Sequence, residues 1–77
     1  MNMEEWYANA LAKIGQLKKG TVFEVKELFE EVVWKSLSRG DRIEFGRYFA
    51  NETREGRVPL IASLERGKNN HSRYVKQ

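Results

Sequence analysis

Two successive patterns in the second half of the sequence limit the fold more than any other feature of this chain. Ser38 stands three residues before Asp41, which resembles a capping box with Asp in place of the usual Glu, so a helix is predicted to begin at Arg39. The helical pattern continues to about Glu55 and ends at Gly56, a residue type that often terminates helices. In the remaining residues, apolar and polar side chains alternate imperfectly, and a turn-rich segment follows. This pattern predicts a β-hairpin.

The periodicity of this helix predicts which of its faces packs against the protein. At about 100° per residue, one face of the helix carries apolar or small residues and is predicted to be buried. Gly46 lies on this face, and a glycine inside a helix indicates that another helix crosses closely there. Phe45 and Tyr48 flank the predicted buried face. That face consists of Ile43, Gly46, Phe49, Ala50 and Thr53.

The first half of the sequence predicts three further elements. Residues 2–18 form an amphipathic helix, with Gly20 as its C-terminal stop. The β-branched and aromatic residues at 21–23 predict one short strand. A 3.6-residue pattern over residues 25–33 then predicts a second, shorter helix. The apolar stripe of the first helix consists of Trp6, Ala10, Ile14 and Leu17.

The order helix, short strand, helix, helix, hairpin predicts a single α+β domain over residues 1–77. Residues 1–19 are the first helix, 20–56 the short strand and helix-turn-helix, and 57–77 the hairpin, with Pro59 at the start of an edge strand. This order is that of the winged helix-turn-helix fold, in which the short strand pairs with the hairpin and the hairpin tip is the wing.

The size and residue types of the chain restrict its class. It has 77 residues, which allow one domain with a modest core, and no Cys, which excludes disulfides and thiolate metal sites. No apolar run approaches the roughly 20 residues of a membrane helix, and the N-terminus does not resemble a signal peptide. We therefore expect a soluble, cytoplasmic protein that does not bind a membrane.

The charge is distributed unevenly along the chain. Residues 1–37 carry five Lys and six Glu, a net charge of −1, whereas residues 38–77 carry nine Lys and Arg and five acidic residues, a net charge of +4. All seven Arg lie in this second part. Because the guanidinium group offers a rigid fork of donors to phosphates and guanine edges, the distribution favours a polyanionic partner, although small basic domains need not have one.

The third predicted helix carries the first group of candidate binding residues. Arg47, Asn51 and Arg54 lie four and three residues apart and therefore form one row on the face opposite the predicted core. Arg can form two hydrogen bonds with guanine, and Asn can form two with adenine. Arg39, at the helix start, could contact phosphate or base. The alternative is an ordinary solvated helix face, in which acidic residues form weak pairs with these arginines.

The hairpin carries the second group of candidate binding residues. Three cations and two amides surround its tip, where they could contact DNA phosphates, although these residue types are also common in turns. The only His of the chain, His71, also lies in the hairpin and has neither Cys nor a second His with which to form a metal site. The tip residues are Arg66, Lys68, Asn69, Asn70 and Arg73.

Neither catalysis nor a cofactor is predicted. The sequence has no phosphate-binding Gly loop and no nucleophile elbow, and its acidic residues are scattered. Most aromatic residues lie on apolar stripes and are predicted to be core. Tyr48 and Tyr74 are predicted to be half-buried; if they were exposed beside the arginine row, they would favour single-stranded DNA or RNA binding by base stacking.

Six short motifs lie along the chain from Gly20 to Tyr74. They are Gly20-Thr21-Val22-Phe23, Val25-Lys26-Glu27-Leu28-Phe29, Trp34-Lys35, Leu37-Ser38-Arg39-Gly40-Asp41-Arg42, Phe45-Gly46-Arg47-Tyr48-Phe49 and Lys68-Asn69-Asn70-His71-Ser72-Arg73-Tyr74. Together they resemble a family of small uncharacterised proteins from Firmicutes and their phages, which is catalogued as a domain of unknown function. The resemblance covers roughly residues 19–76, with the first helix outside it, and implies a bacterial or phage context but no established activity.

Two functional hypotheses follow. The first is a non-enzymatic double-stranded DNA-binding protein, a small transcriptional regulator or phage accessory protein, which could bind paired half-sites as a homodimer through the first helix. The alternative is a protein-interaction module, such as a phage-encoded inhibitor of a host protein, because exposed Arg and Tyr are also common in protein interfaces.

Overall fold

The first helix is shorter than predicted. The computed structural model describes residues 2–58, 60–64 and 72–77, and in it helix α1 spans Met3–Gln16. The side chain of Asn2 caps its N-terminus by accepting a hydrogen bond from the Glu5 N–H at 3.1 Å. At Leu17 the backbone becomes extended, so the predicted end at residue 18 is two residues too late. The buried residues Ala10 and Ile14 confirm the predicted stripe.

Gly20 belongs to the turn that leads into the sheet and not to the end of α1. Its φ of +88° is a conformation that residues with a Cβ rarely adopt. Its N–H donates to the Lys76 carbonyl at 2.8 Å, and the Lys76 N–H donates to the Thr21 carbonyl at 2.8 Å. The Lys76 ammonium also donates to the Ile14 carbonyl at 2.8 Å, so the end of the chain is tied to the end of α1.

In the part of the chain that the structure describes, three strands form one antiparallel sheet in the order β1-β3-β2. Strand β1 is Val22–Phe23, β2 is Ile61–Leu64 and β3 is Arg73–Lys76. Phe23 is opposite Tyr74, and Leu64 is opposite Arg73. The short strand β1 therefore pairs with β3 in the C-terminal part of the chain, as predicted. The predicted edge-strand position of Pro59 lies outside the described residues.

The predicted second helix is two separate segments. A 3₁₀ helix spans Val25–Leu28 and helix α2 spans Glu31–Lys35, with extended backbone at Phe29 and Glu30 between them. The break directs the Phe29 ring toward three others: its centroid lies 4.9 Å from that of Trp6, 5.7 Å from that of Trp34 and 5.8 Å from that of Phe45. Packing of this ring outweighs the local helical pattern, and the predicted continuous helix over residues 25–33 is wrong.

Helix α3 spans Arg39–Arg54, close to its predicted bounds. The Ser38 hydroxyl accepts a hydrogen bond from the Asp41 N–H at 3.1 Å, and Gly56 follows the helix with a φ of +78°, so both predicted end residues are confirmed. The three helices and the small antiparallel sheet together confirm the α+β class.

The buried face of α3 is rotated from the predicted one by roughly one residue step, about 100°. Phe45 and Phe49 are completely buried, whereas Ile43 is 46% exposed. The interpretation of Gly46 is also wrong, because a Cβ at this position would meet no neighbouring atom within 4 Å. Among the residues that the structure describes, no helix therefore crosses α3 at Gly46, and the face predicted to be buried is partly open.

Aromatic contacts explain the rotation. The Phe45 ring contacts Trp6, Phe29 and Trp34, with centroid distances of 5.8–6.3 Å. The Phe49 ring packs edge-on against Tyr74 of the sheet at 5.1 Å and against Tyr7 of α1 at 6.4 Å. These two side chains therefore hold α1, α2 and the sheet together around α3. Both are predicted core residues.

Candidate nucleic-acid interface

The arginine row predicted from the sequence lies on the outer side of α3. Arg47, Asn51 and Arg54 are all exposed, and the helical period places them on the side opposite Phe45 and Phe49. Because Phe45 and Phe49 lie in the core, the backbone of α3 holds this row at a fixed orientation. The row can therefore contact the flat or grooved surface of a partner without rearrangement of the fold.

Two members of the row bind each other. The Arg54 Nη2 donates a hydrogen bond to the Asn51 Oδ1 at 2.8 Å. This bond restricts both side chains and uses one lone pair of the amide oxygen. The second lone pair and the amide N–H groups of Asn51 keep the bonding capacity that a two-bond contact with adenine needs.

The remaining predicted site residues fall in three places. Arg39 is exposed in the first turn of α3, near the row. Arg73 is half-buried at the start of β3, opposite Leu64. The other predicted tip residues lie outside the described residues, and the structure does not test them. These are Arg66, Lys68, Asn69 and Asn70.

An open groove of about 710 Å³ lies beside α3, and we call it the α3 groove. Its walls include the open side of α3, the 3₁₀ segment and the start of β3, where Ser72 and Tyr74 line it. Ile43, Gly46 and Ala50 contribute small and apolar surface, which is the face predicted to be core. Four cations and one carboxylate also line the groove: Lys26, Arg39, Arg42, Arg47 and Glu24.

Sequence analysis missed Lys26 and Arg42 as site residues. Lys26 lies in the 3₁₀ segment, where the broken helix places it beside α3, and its ammonium is 3.8 Å from the Glu24 carboxylate. Arg42 is half-buried, and its Nε is shielded from solvent without a hydrogen-bond partner among the described residues. A buried donor without a partner costs about 1–3 kcal/mol of folding free energy. The Arg42 guanidinium is therefore suited to bind an anionic partner.

A second polar cluster lies between α1 and α3 and does not belong to this interface. The Arg57 guanidinium forms an ion pair with Glu52, which raises the pKa of Arg57. Tyr7 packs edge-on against Tyr48, with ring centroids 5.3 Å apart. Burial, and secondly the negative charge of Glu52, raise the pKa of the Tyr7 hydroxyl. Arg57 is therefore paired with a carboxylate, whereas Arg54 of the arginine row is hydrogen-bonded to the neutral amide of Asn51.

The aromatic side chains give little support to a single-strand surface. Tyr74 is only 2% exposed, and its ring contacts Phe23 and Phe49, so it offers no free face to a base. Tyr48 is half-buried against Tyr7. In residues 2–58, 60–64 and 72–77, no group of three or more His, Cys, Asp and Glu side chains could hold a metal ion. None of the helices described there is long and apolar enough to cross a membrane.

Comparison with known proteins identifies a family. Neither the curated proteins nor the solved structures include a match to the chain. A family model, described as a domain of unknown function (DUF1413), matches residues 8–76. The match includes most of α1, so the resemblance extends further toward the N-terminus than the motifs alone indicate. With a match over nearly its whole length, the chain belongs to the DUF1413 family.

Proposed function

We propose that this protein binds double-stranded DNA without catalysing a reaction, through a winged helix-turn-helix arrangement. The observation that carries the proposal is the row of Arg47, Asn51 and Arg54 on the outer side of α3, opposite the buried Phe45 and Phe49. A helix about 10–12 Å wide fits the major groove, where Arg can select guanine and Asn can select adenine. Helices α2 and α3 are then the helix-turn-helix pair, and α3 is the recognition helix.

Contacts with the DNA backbone would flank this helix. Arg39 at the start of α3 binds one phosphate, while Arg73 and Lys68 bind others from the hairpin. The sheet order β1-β3-β2 supports this arrangement, since it anchors the hairpin to the body of the domain through β1. A single small domain offers little DNA interface, so two copies, in contact through α1, bind paired half-sites. In this proposal the protein is a cytoplasmic transcriptional regulator or phage accessory protein.

Fluorescence anisotropy tests the proposal with a labelled duplex of about 30 base pairs and the matched single strand, each at low and near-physiological salt. We expect the duplex to bind more tightly than the single strand and its affinity to fall steeply with salt, because bound cations release counterions. The double variant Arg47→Ala/Arg54→Ala should weaken specific binding and, where those side chains contact phosphates, reduce the salt slope by about two.

The matched control is Arg57→Ala, which removes one cation of the same type outside the interface, next to Glu52. Its duplex affinity should stay within about twofold of the wild type. Wild-type protein that binds no duplex at low salt would refute the proposal. A double variant that binds as the control does would remove α3 as the recognition helix.

A further inference from the structure

The α3 groove is one part of a longer trough. A second groove of about 430 Å³ lies beside α2 and shares three lining residues with the first, Lys26, Trp34 and Arg42. Phe29 and Lys35 line its far part. The two grooves therefore adjoin along these shared residues, and we call the pair the trough, which extends from α2, past Trp34, to the middle of α3. An elongated site of this kind suits a segment of chain better than a compact small molecule.

The trough combines an apolar floor with a positive rim. Trp34 and Ile43 provide apolar surface, and the missing side chain at Gly46 leaves open space between α3 and the opposite wall. The part beside α3 carries four cations and one carboxylate, a formal charge of +3. The part beside α2 carries three cations and two carboxylates, a formal charge of +1, and its Glu31 is paired with Lys35 at 2.7 Å. Positive charge is therefore concentrated beside α3.

Arg42 lies where the two parts of the trough meet. Its Nε is buried and has no hydrogen-bond partner in the part of the chain that the structure describes. A ligand carboxylate in the trough would offset the cost of this unpaired donor through a charge-assisted hydrogen bond with the Arg42 guanidinium, which is stronger than a bond between neutral groups. This orphaned donor is an observation independent of the shape of the trough.

We propose that the trough binds an acidic, amphipathic peptide segment of a partner protein. An apolar side chain of the segment packs on Trp34 and Ile43 above Gly46, and its carboxylates face Arg39, Arg42 and Arg47. The apolar floor favours a peptide over a nucleic-acid backbone, because sugar and phosphate groups have no apolar side chain to bury there. Trp and Arg are also the residue types that contribute most to protein interfaces. The inference does not depend on DNA binding, although Arg39 and Arg47 belong to both surfaces.

A fluorescein-labelled peptide with a central Leu-Phe pair flanked by Glu residues is a direct probe for the full-length protein. One control peptide has Gln in place of each Glu, and the other has Ala in place of the Leu-Phe pair. We expect both controls to bind at least about tenfold more weakly than the probe, because each lacks one of the two features that the trough recognises. In NMR spectra the indole N–H signal of Trp34 should shift on titration, and that of Trp6 should not.

Two leucine variants locate the binding site. Gly46→Leu fills the trough, while Gly15→Leu places the same side chain on α1, and a Cβ at either glycine would meet no atom within 4 Å. Gly46→Leu should weaken probe binding at least about tenfold and Gly15→Leu should leave it unchanged, with both variants folded as judged by thermal unfolding. Arg42→Gln should weaken probe binding severalfold.

Three results would overturn the peptide site: no binding of the probe by the wild type, equal binding of the Gln peptide, or unchanged binding by folded Gly46→Leu protein. Loss of duplex binding in Gly46→Leu, without any binding of the probe, would instead assign the trough to nucleic acid. The duplex titration of the arginine row is separate, because Asn51 and Arg54 do not line the trough.

Discussion

The two sides of helix α3 differ in what they contact, although both carry apolar residues. On the buried side, Phe45 and Phe49 are completely buried and packed against rings from α1, α2 and the sheet and against Phe29 before α2. On the open side, Ile43 is 46% exposed and a Cβ at Gly46 would meet no neighbour. The rotation of α3 about its axis is thus set by Phe45 and Phe49, because these large apolar side chains bury the most surface area.

This difference separates stability from binding. The buried side holds the molecule together, and its variants should change the free energy of unfolding. The open side, with Arg39, Arg42 and Arg47 around it, carries little of the core, so its variants should change binding and leave the fold intact. Measurements on matched residues from the two sides test whether stability and binding are separated in this way.

The largest effect is expected for Phe45→Ala. Removing a completely buried ring that contacts Trp6, Phe29 and Trp34 should lower the free energy of unfolding by about 3–5 kcal/mol. That is much of the stability that a domain of this size has. Ile43→Ala is the control on the open side and should cost at most about 1 kcal/mol. Urea unfolding measures both, and equal losses would contradict the difference between the two sides.

Local sequence rules predicted the ends of α3 but not its rotation. Ser38 and Gly56 act through hydrogen bonds and backbone conformation within a few residues, which a sequence shows directly. The rotation depends on which of Ile43 and Phe45 finds partner rings, and those partners come from distant parts of the chain. Periodicity gives both residues the same apolar weight, so it places Ile43 on the buried face and Phe45 beside it.

The same distinction applies to the candidate site. The exposed arginine row was predictable, because opposite faces of a helix follow from spacing alone. The trough was not, because Lys26 enters it only through the break between the 3₁₀ segment and α2, which Phe29 imposes by packing against Trp6 and Trp34. Its open space arises from a glycine that the sequence suggested was a helix contact.

A smaller effect, of opposite sign, is expected for Gly46→Ala. Alanine loses less conformational entropy than glycine on helix formation, and at this position it meets no steric obstacle, so the variant should be about 0.5–1 kcal/mol more stable than the wild type. Gly15→Ala on α1 is the matched control and should give a similar gain. Thermal or urea unfolding tests both variants. Destabilisation by Gly46→Ala alone would show that the open side of α3 is closely packed after all.

The smallest effect concerns Tyr7, which contacts the buried side of α3 through Phe49 and Tyr48. Burial, followed by the charge of Glu52, raises the pKa of Tyr7 above its ordinary value of 10.0. The folded state therefore retains this proton at a pH where the unfolded state loses it. The resulting contribution to stability is complete below about pH 10 and is lost as the pH rises through the folded pKa.

Ultraviolet absorbance of tyrosinate should show Tyr7 ionising above pH 10, with the step assigned by its absence in Tyr7→Phe. The variant should also lose less stability than the wild type between neutral pH and the alkaline range, because Phe has no hydroxyl to ionise. Ionisation of Tyr7 at or below its ordinary pKa would show that water and ions reach the contact between α1 and α3. That contact would then resemble the open side of the helix more than the buried one.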